Sequence, residues 1–309
     1  MIKTCFAALC IIMTCFVSFA FADGFTADIG GGVLYINKSD NLWGRGKANI
    51  SSINAKPQSA DRVYPIPAVL LRYRQDSLRN TYYLGATHED YGRLVVGVKH
   101  DLDKGAVDAA LFYSFMGREW ENPYVLNRAS TGVKSFGLRT GWERIGGGPV
   151  SLHYTVSARI VDNDVSGSLN PDLKRDGTIH RLSANYRIKL GETITLAPFA
   201  AYERTFAEGK ANRLNVASGG VNLIWKRGNL TWTNRLAGHY GVTDTTQPYY
   251  GDNRREPGYA ISSLLVLKDP FDFKKYFLTC GFMHEQTFSN IAFFEKRADA
   301  AFLLMGYSF

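Results

Sequence analysis

Stretches in which apolar and polar residues alternate one for one recur along this chain, and they leave few folds open. In 150–161, Val150, Leu152, Tyr154, Val156, Ala158 and Ile160 fall on one side, and Ser151, His153, Thr155, Ser157 and Arg159 on the other. Residues 181–190 and 230–240 follow the same pattern. Successive side chains of a strand point to opposite faces, so each segment has one apolar and one polar face. The connections alternate as well. Short turns, most with Gly, Asn or Asp, fall at 77–80, 103–105, 146–149, 191–192, 228–229 and 270–275, as tight hairpins require. Between them lie longer polar links near 37–62, 116–133, 161–177, 207–213 and 243–256, with two shorter ones near 88–92 and 287–293. One long end and one short end is the pattern of a membrane-spanning antiparallel barrel.

Strands are expected near 25–36, 63–76, 81–88, 92–102, 106–116, 134–145, 149–161, 178–190, 193–206, 214–227, 230–242, 257–268, 276–286 and 295–309. The count is fourteen and the fold class all-β, a transmembrane antiparallel β-barrel. The pairs at 81–102 and 276–309 leave twelve or sixteen open. A break of phase at Ser218-Gly219-Gly220 predicts a bulge, and Gly30-Gly31-Gly32 a close approach or bend within the first strand.

Residues 1–22 have one Lys, an apolar run and Ala20-Phe21-Ala22, the pattern of a cleaved secretory signal peptide. Residues 23–309 then form one domain. Of the four Cys only Cys280 survives cleavage, which excludes an internal disulfide and Cys-based metal sites. A single-domain barrel with this leader belongs in the bacterial outer membrane. Trp142, Trp225 and Trp232 lie near short turns, where amphipathic rings suit the headgroup level. The chain ends on an alternating apolar strand with Tyr307 and Phe309, which resembles the signal read by the barrel-insertion machinery.

Parity puts Arg72, Arg74, Arg93, Lys99, Arg139, Arg159, Arg181, Arg187, Lys189 and Arg235 on the inner face, against Asp28, Asp108, Glu143 and Glu203. Ten bases against four acids make an electropositive lumen, and rings of Arg or Lys select anions. The same residues could instead fill the barrel as ion pairs. Net charge is +8, but the bases are spread over many strands, so nucleic acid is not an expected partner. Loop residues Arg45, Lys47, Arg254 and Arg255 suit lipopolysaccharide phosphates.

No His-Glu-x-x-His, P-loop or Gly-x-Ser-x-Gly occurs, and no cofactor is expected. His88-Glu89-Asp90 is the nearest approach to a rim catalytic cluster and reads better as a solvated turn. Asp162, Asp164, Ser166 and Gly167 copy the first half of a calcium loop, but Leu173 stands where the closing Glu belongs. A polar loop is the expectation, and a surface cation site the alternative.

Leu71-Arg72-Tyr73-Arg74, Tyr82-Tyr83-Leu84-Gly85 with Glu89-Asp90, Gly117–Tyr124 and Asp162–Gly167 together resemble a family of Gram-negative proteins known as domain of unknown function 2860. The resemblance implies an exported protein and carries no catalytic residues to transfer. Size and strand count are similar to those of monomeric fourteen-stranded porins. The chain differs from the fatty-acid transporter barrels, whose N-terminal plug domain has no counterpart in this reading. The function expected is a passive channel for anionic solutes. The alternatives are a closed barrel whose loops bind surface partners, and a hydrolase at the rim.

Overall fold

The computed structural model describes residues 24–86 and 92–309, so the leader segment and His88-Glu89-Asp90 lie outside the described residues. Strands run in chain order as β1 (Phe25–Asp40), β2 (Ser59–Gln75), β3 (Asn80–Ala86), β4 (Arg93–Leu102), β5 (Gly105–Trp120), β6 (Ser130–Glu143), β7 (Val150–Val161) and β8 (Gly177–Tyr186). They continue as β9 (Ile188–Leu190), β10 (Ile194–Ala207), β11 (Leu214–Arg227), β12 (Leu230–Thr246), β13 (Asn253–Lys268), β14 (Tyr276–Thr287) and β15 (Lys296–Ser308). A short helix, α1 (Val165–Leu169), sits in the link between β7 and β8. Both β8 and β9 pair with β10, so they are two halves of one strand broken at Arg187, and the barrel has fourteen.

Each strand is antiparallel to its neighbours, and β15 returns to β1 from Asp28↔Ser308 to Asp40↔Lys296. Closure removes the sheet edges that lipid could not satisfy. Gly30 and Gly32 lie at this seam, where an added Cβ would stand 2.6 Å from the Met305 carbonyl oxygen and 2.1 Å from that of Leu303. The glycine run therefore serves close approach. The short turns rest on left-handed residues such as Gly191 (φ +83°) and Gly228 (φ +54°).

Many strands outrun the segments read from alternation. β5 and β12 continue to Trp120 and Thr246, and β13 starts at Asn253, so much of the links 116–133 and 243–256 is strand. A tilted strand crosses lipid in about 9–11 residues. Strands of 16 and 17 residues therefore project beyond the bilayer at the loop end.

The expected bulge at Ser218–Gly220 is absent. β11 pairs in unbroken register with β10 and β12, and the register shifts fall between Ser114 and Gly117 and between Val242 and Thr246. The phase break has a packing cause. Gly220 faces the ring of Phe199, with an added Cβ 2.9 Å from its Cε1 and 2.2 Å from the Leu236 oxygen. Gly219 meets only the Phe199 oxygen, at 3.5 Å. Gly220→Val is expected to lower resistance to urea unfolding by about 1–3 kcal/mol through overpacking. Gly219→Ala is expected to stay within about 0.5 kcal/mol of the parent.

Candidate functional site

The inner face is made of side chains that meet across the barrel wall, and it has two unlike arcs. On β1, β2, β14 and β15 it is apolar: Leu34, Ile66 and Leu304 are buried together against Tyr64, Ala68, Phe277 and Phe302. From β3 to β12, and at the short-turn end of β1 and β2, it is charged. Arg72 Nη1 donates to Asp28 at 2.7 Å, Lys99 to Glu143 at 2.6 Å and Arg181 to Glu203 at 3.2 Å. Arg139 lies 4.0 Å from Asp108, which also accepts from Tyr83 Oη at 2.5 Å. Arg74, at the short-turn end, meets Asp76 and Asp101. Arg159 pairs with Glu119, a residue that the sequence reading left in a loop and that β5 in fact carries.

Six of the ten bases expected to face inward therefore meet carboxylates, and the balance of ten to four overstated the positive field by leaving out Glu119, Asp76 and Asp101. Arg93, Arg187, Lys189 and Arg235 have no carboxylate partner among the described residues. Arg93 stands over the Phe112 ring at 5.1 Å and Arg235 over Phe199 at 4.0 Å. Arg187 and Lys189 are exposed around the break between β8 and β9. A cavity of about 710 Å³ opens at the short-turn end where the two arcs meet, with Asp28, Arg72, Lys268 and Lys275 beside Leu70, Phe277 and Leu304.

At the other end six of the connections fold into a cap with its own core. Ile50, Tyr124, Leu173, Ala211, Ile291, Phe293 and Phe294 come from five different links and are buried together, and Tyr250 of a sixth packs on them. Phe293 lies 5.4 Å from Tyr124 and 5.1 Å from Phe294, ring centre to ring centre. Side chains tie the links to one another. Tyr250 Oη donates to the Ile53 oxygen, Gln247 Nε2 to that of Ala211, and Asn41 Nδ2 to that of Phe293. Burial pushes the Tyr124 phenol up to about 12 and brings the Arg128 guanidinium down to about 10, where it remains charged at neutral pH. Arg128 spends that charge on the Asn41 and Lys47 oxygens and on the Trp120 ring.

One expectation about these links is corrected, and the weaker alternative for another finds its carboxylate engaged. Asp164, of the alternative cation loop, caps α1 through the Gly167 amide and is held by Arg175, with side chains 6 % and 4 % exposed. Arg175 also donates to Glu119 and to the oxygens of Trp120 and Glu121, so it knits three elements. Asp162 turns instead to Lys134, and Ser166 Oγ donates to Asp164. Among the described residues no cluster of His, Cys, Asp or Glu is arranged to hold a metal. Arg254 is no surface base: it is buried over Phe294 at 4.5 Å, beside Glu256 at 3.3 Å. Lys47 and Arg255 are exposed.

The outer face is apolar between two rings of aromatics. Trp225 pairs with Trp232 across β11 and β12, and Trp142 is exposed on β6, all near the short turns. Tyr276, Tyr307 and Phe309 meet edge to face, with ring centres 5.0 and 4.8 Å apart. A second ring near the loop end, with Tyr35, Phe115, Phe206, Tyr240 and Tyr259, escaped the sequence reading. So did an outward His284, whose Nδ1 meets Asp299 at 2.6 Å and whose Nε2 meets Tyr259 Oη at 3.4 Å. Those two are its side-chain hydrogen-bond partners, and neither is the serine or cysteine nucleophile of an acyl-transfer triad.

Residues 24–308 match the family described as a protein of unknown function, DUF2860. The chain belongs to this family. No curated protein sequence matches it. Among solved structures the DUF2860 barrel is similar to the β domain of the Bordetella autotransporter BrkA, at 9 % identity and TM-score 0.47, covering 91 % of this chain and 100 % of that one. It is similar also to the outer membrane channel DcaP of Acinetobacter baumannii, at 9 % identity and TM-score 0.40 over 93 % and 98 % of the two chains. A Pseudomonas aeruginosa FadL homologue gives 11 % identity and TM-score 0.41 over 94 % and 91 %. These are likenesses between β-barrels and say nothing of what the DUF2860 barrel carries.

The cap is expected to depend on Arg175. Arg175→Met leaves the buried Asp164 uncompensated, a loss of about 3–5 kcal/mol, read as lost near-ultraviolet dichroism with β content retained. Acid acts on the same pair. Burial pushes the Asp164 carboxyl up, but the hydrogen bonds and charge of Arg175, with the amides of Gly167 and Arg175, outweigh it and leave it below its ordinary 3.8. A carboxyl lowered by folding adds stability above its ordinary value, and that stability is lost as pH falls through the folded value. The cap signal is therefore expected to weaken below about pH 4, and less so in Asp164→Asn.

Proposed function

We propose that the DUF2860 barrel is a passive channel of the bacterial outer membrane whose lumen favours small anionic solutes. The observation that carries this reading is the set of inward bases left without carboxylates. Arg93 stands on β4, Arg187 and Lys189 around the break between β8 and β9, and Arg235 on β12. Bases that line a path, rather than cancel in pairs, attract anions along it. Fourteen strands leave room for such a path, since about eight are just filled by side chains. The apolar outer belt between two aromatic rings suits a bilayer, with the loops and their cap outside the cell. Tyr307 and Phe309 are the residues offered to the insertion machinery, and Lys47 and Arg255 those offered to lipopolysaccharide phosphates.

The cap makes this a gated channel. Its buried aromatic core stands across the mouth, so solute passes when the cap loosens. The same cap, with six paired bases beneath it, favours a second reading, a closed barrel with a structural role at the cell surface. Planar-bilayer conductance under a salt gradient separates the two. Steps with anion preference are expected, more frequent in Arg175→Met than in the parent. Replacing Arg93, Arg187, Lys189 and Arg235 by Gln is expected to abolish the preference while conductance persists. Silence of both the parent and Arg175→Met at every voltage would establish the closed barrel instead.

A further inference from the structure

Among the described residues the wall of the barrel is incomplete on one side. β3 ends at Ala86, opposite Val69, and β4 begins at Arg93, opposite Ser114, so the described strands of this hairpin stop well below the tops of their neighbours. Above it, β2 from Ser59 to Ala68 keeps β1 on one side and has no strand on the other among the described residues. β5 above Ser114 is in the same position, save for one bridge between Glu119 and Trp43.

The sequence is adapted to this open edge. Arg74 donates its amide to Gly24 on β1, so even-numbered residues of β2 turn their backbone groups to β1 and odd-numbered ones toward β3. Pro65 and Pro67 are odd. They stand where an amide would point into the gap, and proline has none to leave unpaired. The β5 edge is covered by the link after β1. Gly44 donates to the Arg118 oxygen at 3.0 Å and Arg45 Nη2 to that of Met116 at 3.2 Å. From the β2 side, Arg62 Nη2 donates to the Arg45 oxygen at 2.7 Å. Arg45 and Arg62 thus span the gap with side chains where the rest of the wall has a backbone ladder.

Behind this latch lies a cavity of about 250 Å³, with Ile36, Trp43, Arg45, Tyr64, Met116 and Val133 among its lining. The Arg45 guanidinium lies 5.3 Å from the Tyr64 ring centre, and the Tyr64 hydroxyl is buried with no hydrogen-bond partner. The lips of the gap are exposed and apolar: Val63 (65 %) on β2, Phe115 (60 %) and Met116 (39 %) on β5. Val63 stands roughly ten residues above Tyr73 of the turn-side aromatics, one strand crossing of the hydrocarbon. Arg62 follows one residue beyond Val63 and reaches Arg45.

Resting on the channel reading, we propose that this gap is a side port between the lumen and the outer leaflet, and that it admits an amphiphile with an anionic head and an apolar body. The lips take the apolar body from the bilayer. Arg45 and the unpartnered Tyr64 hydroxyl take the head, which displaces the Arg45 contact to Met116 and loosens the latch.

Trp43 in the cavity reports occupancy. Parent and Trp43→Phe proteins in neutral-phospholipid vesicles are titrated with bromododecanoate, bromododecyltrimethylammonium or sodium sulfate. The difference between the two proteins isolates the emission of Trp43. Bromododecanoate is expected to quench it saturably, the cationic analogue not, and excess sulfate is expected to leave the quenching in place. Arg45→Gln with Arg62→Gln is expected to weaken binding about tenfold or more, the loss of a charge-assisted hydrogen bond. Tyr64→Phe, which keeps the ring, is expected to weaken it by a smaller factor. Equal quenching by the cationic amphiphile, displacement by sulfate, or no quenching that depends on Trp43 would each overturn the side port. Chloride flux through the same vesicles tests the channel reading separately: flux without quenching refutes only the port, and quenching without flux refutes only the channel.

Discussion

Hydrocarbon offers a peptide group nothing to bond with, so every amide and carbonyl that crosses it must find a partner inside the protein. For a chain of strands this means closure, and the pairing of β15 with β1 supplies it. The side-chain pattern follows from that ladder. Once the strands close, alternate residues are committed to lipid or to the interior, and a one-residue slip of register would carry a strand's side chains across the wall. Where the ladder stops, above the β3–β4 hairpin, the same constraint governs what replaces it: prolines on one edge, and on the other the Gly44 amide and the Arg45 side chain donating to carbonyls that no strand reaches.

Inside, two ways of filling space divide the circumference. The arc around the seam is packed with Leu34, Ile66, Phe302 and Leu304, while the opposite arc pairs most of its bases with acids. These pairs are about one third exposed, so solvent screens them and each adds little to stability. The cap repeats this logic in miniature. An aromatic core around Phe293 gives it cohesion, and the Arg175–Asp164–Glu119 network decides which links meet.

The strands were legible because alternation is a local property, and within each hairpin the short turns left little choice of partner. Strand ends were less so. Glu119 and Trp120 lie in a polar stretch with no alternation, and they become strand because β6 and the link after β1 bond to them. Gly219 and Gly220 looked like a bulge, since a missing side chain and an inserted residue both interrupt the pattern. The ring of Phe199, from another strand, distinguishes the two. Arg254 reads as a loop charge, and Arg175 carries no signal of its role, because nothing nearby in sequence announces the Phe294 ring or the Asp164 carboxylate that bury them. The His284–Asp299 pair is set by cross-strand register, which local pattern does not carry.

Alternation and turn spacing were sufficient to determine a closed antiparallel barrel whose strands each carry one apolar and one polar face, because a strand has only two faces and lipid accepts only one kind of side chain. Tertiary structure alone decided which bases of the polar face are neutralised, that the long links fold into one cap, and that, among the described residues, the wall stops short above β3 and β4. Those outcomes depend on contacts between residues distant in the chain, where charge and volume are settled by the partner that the fold delivers.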